Sequence, residues 1–346
     1  MSTIKAQPAE PTLAHSLLLE PSSRPSGVTT ESVFASSDQN LDRESSNAWD
    51  LKVDIENGLH STESDVFRSG TVIGFSRLRG KSPEDNEDEF VGELPRHLLT
   101  KWLLRSTPTT SPTQAPTPKA YIIHPPHITI FSPTKLLSSL QSHSPSLNRQ
   151  EAITLLDSVQ LFPVFDFSSA ADAIAEVSER LHALHRSEGQ DQKHEQAVIV
   201  LAGLDTLTES VIRSSNAVRG TAVLTSALRT LTQLSRMHSA RLSIVLVNTS
   251  GVGPFQFAQS QAQAQAETQV QSQSQSRGDG PHSIFTGTDT PLFPSLLMRT
   301  LDLGVDTHLL MSRTNMSMGQ GSRAATVVEV IKVRVGAGLG RWTVWP

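Results

Sequence analysis

A chain of 346 residues with a net charge of −5 and 37% hydrophobic residues is long enough for one large domain with tails, and its apolar share leaves a good fraction outside any core. That charge gives no global positive field to hold nucleic acid, so such a contact needs a local patch or a partner. The absence of cysteine excludes disulfides, thiolate zinc sites and cysteine nucleophiles, and no apolar run approaches the roughly 20 residues of a membrane span.

Residues 1–50 are rich in Ser, Pro, Thr and acids, which predicts a disordered tail. The start has neither a signal-peptide pattern nor an Arg-rich transit pattern, so the expected compartment is cytosol or nucleus. From residue 51 to 346 a core is expected. Two flexible insertions interrupt it, at 106–119 ("STPTTSPTQAPTPK") and at 252–285, where a Gln/Ala/Ser tract cannot bury enough apolar surface to offset its ordering entropy.

Within the core, "GTVIGFS" (70–76) predicts a strand and "LPRHLLTKWLLR" (94–105) a helix. "AYIIH" (120–124) predicts a strand, and "SPTKLLSSLQSH" (132–143) a helix with Pro at its first position. "VQLFPVFDF" (159–167) follows as a strand, then a helix over 168–185 with Ile174, Val177, Leu181 and Leu184 on one face. "AVIVLAG" (197–203) is continuously apolar, as a strand covered on both sides should be. A long amphipathic helix is predicted over 222–238, a buried strand over 242–248 and a helix near 292–302. The segments 307–312, 324–335 and 341–345 alternate and suit an antiparallel edge. Repeated strand–helix units mean a mostly parallel sheet with helices on both faces. A ligand site then lies at the strands' carboxyl ends, among the loops after Ser76, His124, Gly203 and Asn248.

The order and spacing of these pieces resemble the ATPase core of the RecA/RadA recombinases, and among them the eukaryotic recombination-repair paralogues. "GLHSTESDVFRSGTVIGFS" (58–76) is similar to the family's lead-in to its first strand. "KAYIIHPPHITIFSPTKL" (119–136) resembles the second strand and the turn after it. "VIVLAGLDTL" through "LSIVLVNTSG" follows the fourth strand, first DNA loop, long helix and fifth strand. The likeness covers roughly residues 52–346 and lacks the family's small helical N-terminal domain. It implies a RecA-like fold, ATP and Mg2+ as cofactors, other RecA-like recombination proteins as partners, single-stranded DNA reached through the complex, no membrane and a nuclear location.

The residues depart from that pattern where chemistry is needed. A phosphate-cradling loop requires G-x-x-x-x-G-K-[ST] between strand and helix. Here Gly80, Lys81 and Ser82 supply its end. The spacing from Gly74 is one residue too long, position 75 is Phe, and the acidic run "EDNEDE" follows. A solvated loop containing a chance Gly-Lys-Ser is the competing reading. The family's fourth strand ends in a magnesium-ordering aspartate, and Ala202 stands in that place. Asp205, three residues later, is the substitute candidate, or else the cap of a turn. The stretch matching the family's water-activating glutamate is "HPPHITI", without a carboxylate. Thr249 replaces the glutamine after the fifth strand, beside Asn248, which matches. Hydrolysis needs a held metal and an oriented water, so the resemblance as modified here implies a non-catalytic or weakly ATP-binding subunit. The loop 212–222 falls at the family's first DNA loop, and Arg213 and Arg219 are its candidate DNA contacts. A structural RecA-fold subunit of another complex (Elongator-type) and an active ATPase using Lys81 and Asp205 are the alternative readings.

Overall fold

The computed structural model describes residues 50–60, 66–79, 87–106, 119–187, 196–253, 281–285, 291–318, 321–336 and 338–345. The expected tail, most of both expected insertions and Gly80, Lys81 and Ser82 lie outside the described residues.

In chain order the elements are α1 (Lys52–Asn57), β1 (Val72–Leu78), α2 (Glu87–Arg105), β2 (Ala120–His124), α3 (Pro133–His143), α4 (Arg149–Leu156), β3 (Val159–Pro163) and α5 (Phe167–Ser187). Then follow β4 (Ala197–Ala202), α6 (Leu204–Ser214), α7 (Ala217–Met237), β5 (Leu242–Val252), α8 (Leu296–Gly304), β6 (Thr307–Met318), β7 (Gly321–Val333) and β8 (Trp342–Trp345). Among the described residues, eight strands form one sheet in the order β3-β2-β4-β5-β1-β6-β7-β8. The pairings through β6 are parallel, and β6–β7 and β7–β8 are antiparallel. This is the α/β class expected from the sequence, a mostly parallel sheet flanked by helices with an antiparallel carboxyl-terminal edge.

Alternation along the central strands explains the two helical layers. Ile73 and Phe75 of β1, Val198 and Val200 of β4, and Val245 and Val247 of β5 face α1 to α4. Val72, Ile199, Leu201, Ile244 and Leu246 face α5 to α8. Each such side chain, fully buried, contributes about 1.5–3 kcal/mol relative to exposure. Three elements were not legible in advance. The short α1 precedes the lead-in segment 58–76 and has no counterpart among the expected elements. α4 is opened by a reciprocal cap between Asn148 and Glu151. α6 occupies the stretch read as the start of a loop. Strand β1 also runs two residues further than expected, to Leu78.

The layer of α2 and α3 is tied to β8 by a histidine pair. His97 Nδ1 and His143 Nε2 are 2.5 Å apart, and the edge of Trp345 meets the His97 ring at 4.5 Å. His143 Nδ1 donates to the Ser139 carbonyl at 2.6 Å, which leaves its Nε2 to accept from His97. Burial first, then the neighbouring charges of His143 and Lys101, push the His97 imidazole down to about 3. The folded chain thus holds fewer protons than the unfolded chain between roughly pH 6.5 and 3, and stability is lost as pH falls through that window. Urea unfolding of the wild type is expected to show a falling midpoint from pH 7 to pH 4.5. His97→Gln flattens that slope. Equal slopes in the two proteins would remove His97 from the account.

Candidate functional site

The carboxyl ends of β1, β4 and β5 lie side by side, and the sequence places a motif on each. On β1, the position where a phosphate loop needs its first glycine is Phe75, whose side chain is fully buried in the core. The backbone there is committed to the sheet. Phe75 and Ser76 pair with Val247 and Asn248 of β5 and with Leu309 and Leu310 of β6, and Leu78 still pairs with Val252. Gly74 has a packing reason: a Cβ on it would stand 2.9 Å from Val305 Cγ1. Beyond the strand, Arg79 turns back on β5, donating to the Ser250 carbonyl at 2.8 Å and the Gly251 carbonyl at 3.4 Å.

At the tip of β4, Ala202 is buried and Gly203 adopts φ 73°. Any side chain at 203 would be strained there, and a Cβ would lie 2.3 Å from Ile128 Cδ1 and 3.2 Å from Pro125. The "HPPHI" stretch thus packs apolar atoms onto the strand tip, where the resemblance calls for a carboxylate.

Asp205 lies in the first turn of α6 and is 1% exposed. Its Oδ2 accepts the Ser250 N–H at 2.6 Å, and its Oδ1 faces the Thr249 hydroxyl at 3.5 Å. Burial pushes its carboxyl above the usual range, against these hydrogen bonds. The carboxylate therefore ties α6 to the end of β5, and its best acceptor position is taken by backbone.

The residues that sequence reasoning missed lie one strand further on. Asn248 Nδ2 donates to Ser76 Oγ at 2.9 Å, Ser76 Oγ is 2.8 Å from His308 Nε2, and His308 Nδ1 is 2.8 Å from Asp302 Oδ1. The Lys332 ammonium donates to the Asp302 carbonyl and lies 3.4 Å from its Oδ2. A carboxylate only accepts, so Nδ1 carries the imidazole proton, and Nε2 accepts from the Ser76 hydroxyl. Burial alone would raise the Asp302 carboxyl. The His308 hydrogen bond and the Lys332 ammonium hold it below the usual range. Phe293 stacks on His308 with centroids 5.4 Å apart.

Serine, histidine and aspartate in this order match the connectivity of a nucleophile, base and orienting acid. Access differs. Ser76 is 0% exposed and His308 1%, and the cavity beside them, bordered by Asp205, Asn248 and Met298, holds about 10 Å³, room for one water. The chain of bonds instead joins β5, β1, β6, α8 and β7. A polar His308 in an otherwise apolar strand, six residues after Asp302, was the available sequence signal.

The expected DNA loop over 212–222 is helical. α6 runs through Ser214, only Ser215 and Asn216 intervene, and Asn216 Oδ1 caps α7 by accepting the Arg219 N–H at 2.8 Å. Arg213 is exposed and pairs with Glu209 one turn earlier at 2.9 Å. Gly220, read with Arg219 as a family-like pair, lets the helices close: a Cβ on it would stand 2.3 Å from Ile212 Cγ1.

The described groups at the strand ends do not fit a Mg2+–triphosphate: a core phenylalanine replaces the first loop glycine, the strand continues past it, and the acid is bound to backbone. Gly80, Lys81 and Ser82 are outside the described residues. Among the described residues, no three His, Asp or Glu side chains converge to hold a metal.

No family model matches the chain. No curated protein matches it either. Among solved structures, a crystal structure of the RadB recombinase is similar at 14% identity, with 80% of this chain and 87% of that chain covered and a TM-score of 0.43.

Proposed function

We propose that this chain is a non-catalytic RecA-fold subunit that assists homologous recombination and DNA repair by assembling with other RecA-like subunits in the nucleus. The observation carrying this reading is β1. It stays paired on both sides across Phe75 and Ser76, where a phosphate-binding loop would have to leave the sheet and turn its N–H groups outward. The engagement of Asp205 with Ser250 supports the same reading. Any residual ATP binding would rest on Gly80, Lys81 and Ser82. DNA is reached through the assembly, in keeping with the net charge of −5.

Affinity purification of the tagged full chain from its own cells tests this reading. The expected result is recovery of RecA-like recombination proteins, together with sensitivity of a deletion strain to double-strand breaks. Recovery of tRNA-modification subunits with normal break tolerance would replace it with the scaffold reading.

A further inference from the structure

Between α5, α6 and α7 lies a groove of about 520 Å³. That volume is in the range of small-molecule sites, about 300–1,000 Å³. Phe167, Ile174 and Ala175 of α5 form one wall, and Val211 of α6 and Val223 of α7 form the other. The groove exists because Ala171 and Ala175 face Ser226 and Thr230, side chains too short to close the gap between α5 and α7. From Phe167 to Ala175 it runs about 12 Å, at roughly 1.5 Å per residue.

One end of this groove carries an arginine. Arg219 lines it, and among the described residues its guanidinium has no ion-pair or side-chain hydrogen-bond partner, its main-chain N–H alone being engaged by Asn216. Arg213, by contrast, is neutralised by Glu209. The first turns of α5 and α7 both border this end, through Phe167 and Ser168 and through Arg219; α5 is capped there by Asp166, whose Oδ1 accepts the Ser169 N–H at 2.7 Å, and α7 by Asn216, which leaves the Arg219 guanidinium as the cation offered to a ligand. Phe165 and Val218, adjoining these turns in the chain, are 81% and 73% exposed. An apolar trough with one uncompensated cation at its end is complementary to an apolar body ending in a single anion.

We propose that the groove between α5 and α7 binds a small apolar organic acid, with its chain along Ile174, Ala175 and Val223 and its carboxylate at Arg219. This inference stands apart from the assembly reading and survives its failure. Decanoate is the probe, titrated into the full chain at pH 7 and followed by calorimetry and by NMR of the ligand. Saturable one-to-one binding is expected. Ala175→Trp, at an exposed position, fills the trough and abolishes binding, and Ala171→Trp is the second filling variant should the first perturb the circular dichroism. Arg219→Gln weakens decanoate about fivefold, the scale of one exposed ion pair, and leaves decanol binding unchanged. No saturation by decanoate in the wild type overturns the proposal, as does wild-type affinity in a folded filling variant. Displacement of decanoate by oligothymidylate also overturns it, because Arg219 then serves nucleic acid.

Discussion

His308→Ala is expected to lower the unfolding free energy by about 3 kcal/mol or more, since leaving a buried polar group unsatisfied costs about 1–3 kcal/mol and more where that group is charged, as Asp302 is. The substitution strips Asp302 of its imidazole donor and Ser76 of its acceptor, both in places water does not reach. It also removes the ring on which Phe293 stacks. Ser76→Ala is the control within the same chain of bonds. It leaves the His308–Asp302 bond intact and orphans only neutral groups, so a cost of about 1–3 kcal/mol is expected. Urea unfolding followed by tryptophan fluorescence measures both. Comparable losses in the two variants, or a near-neutral His308→Ala, would mean that the relay does not join the five elements as described.

Asp205 gives the second large effect, and the contrast between two substitutions carries its meaning. Asp205→Ala leaves the Ser250 N–H without its acceptor beside a buried strand end, and a loss of about 2–3 kcal/mol is expected. Asp205→Asn keeps an oxygen for that N–H and sheds the charge. Because burial raises the folded carboxyl above its unfolded value of 3.8, the native state binds more protons than the unfolded state over that interval. The wild type therefore loses stability as pH rises through the folded value. The asparagine variant lacks this dependence and is expected to match or exceed the wild type at pH 7. Millimolar Mg2+ should leave both midpoints unchanged, since a ligand of the native state would raise them. A midpoint that rises with Mg2+ in the wild type and not in Asp205→Asn would make Asp205 a metal ligand.

The sheet was legible because its central strands are unambiguous. "AVIVLAG" and "LSIVLVN" are apolar throughout and too short for helices, and the helices between them carry clear stripes. What escaped has physical causes. α6 begins at Leu204, right after a left-handed Gly203, and such a junction reads as a loop because the glycine is there for Ile128 rather than for a turn. Arg219 and Gly220 looked like loop residues, yet Asn216 caps a helix just before them and the glycine serves helix packing. Asp205 was placed correctly near the strand tips, but its burial depends on Ser250, 45 residues away. The relay was invisible for the same reason: Ser76 and His308 are 232 residues apart and meet only through the β1–β6 pairing.

The central proposal is that the chain works without holding a metal or directing a water at a phosphate. Mg2+-dependent ATP turnover by the purified full chain, beside Lys81→Ala and Asp205→Asn, tests it most directly. The account predicts a rate indistinguishable from background in all three proteins. A wild-type rate that disappears in both variants would contradict it.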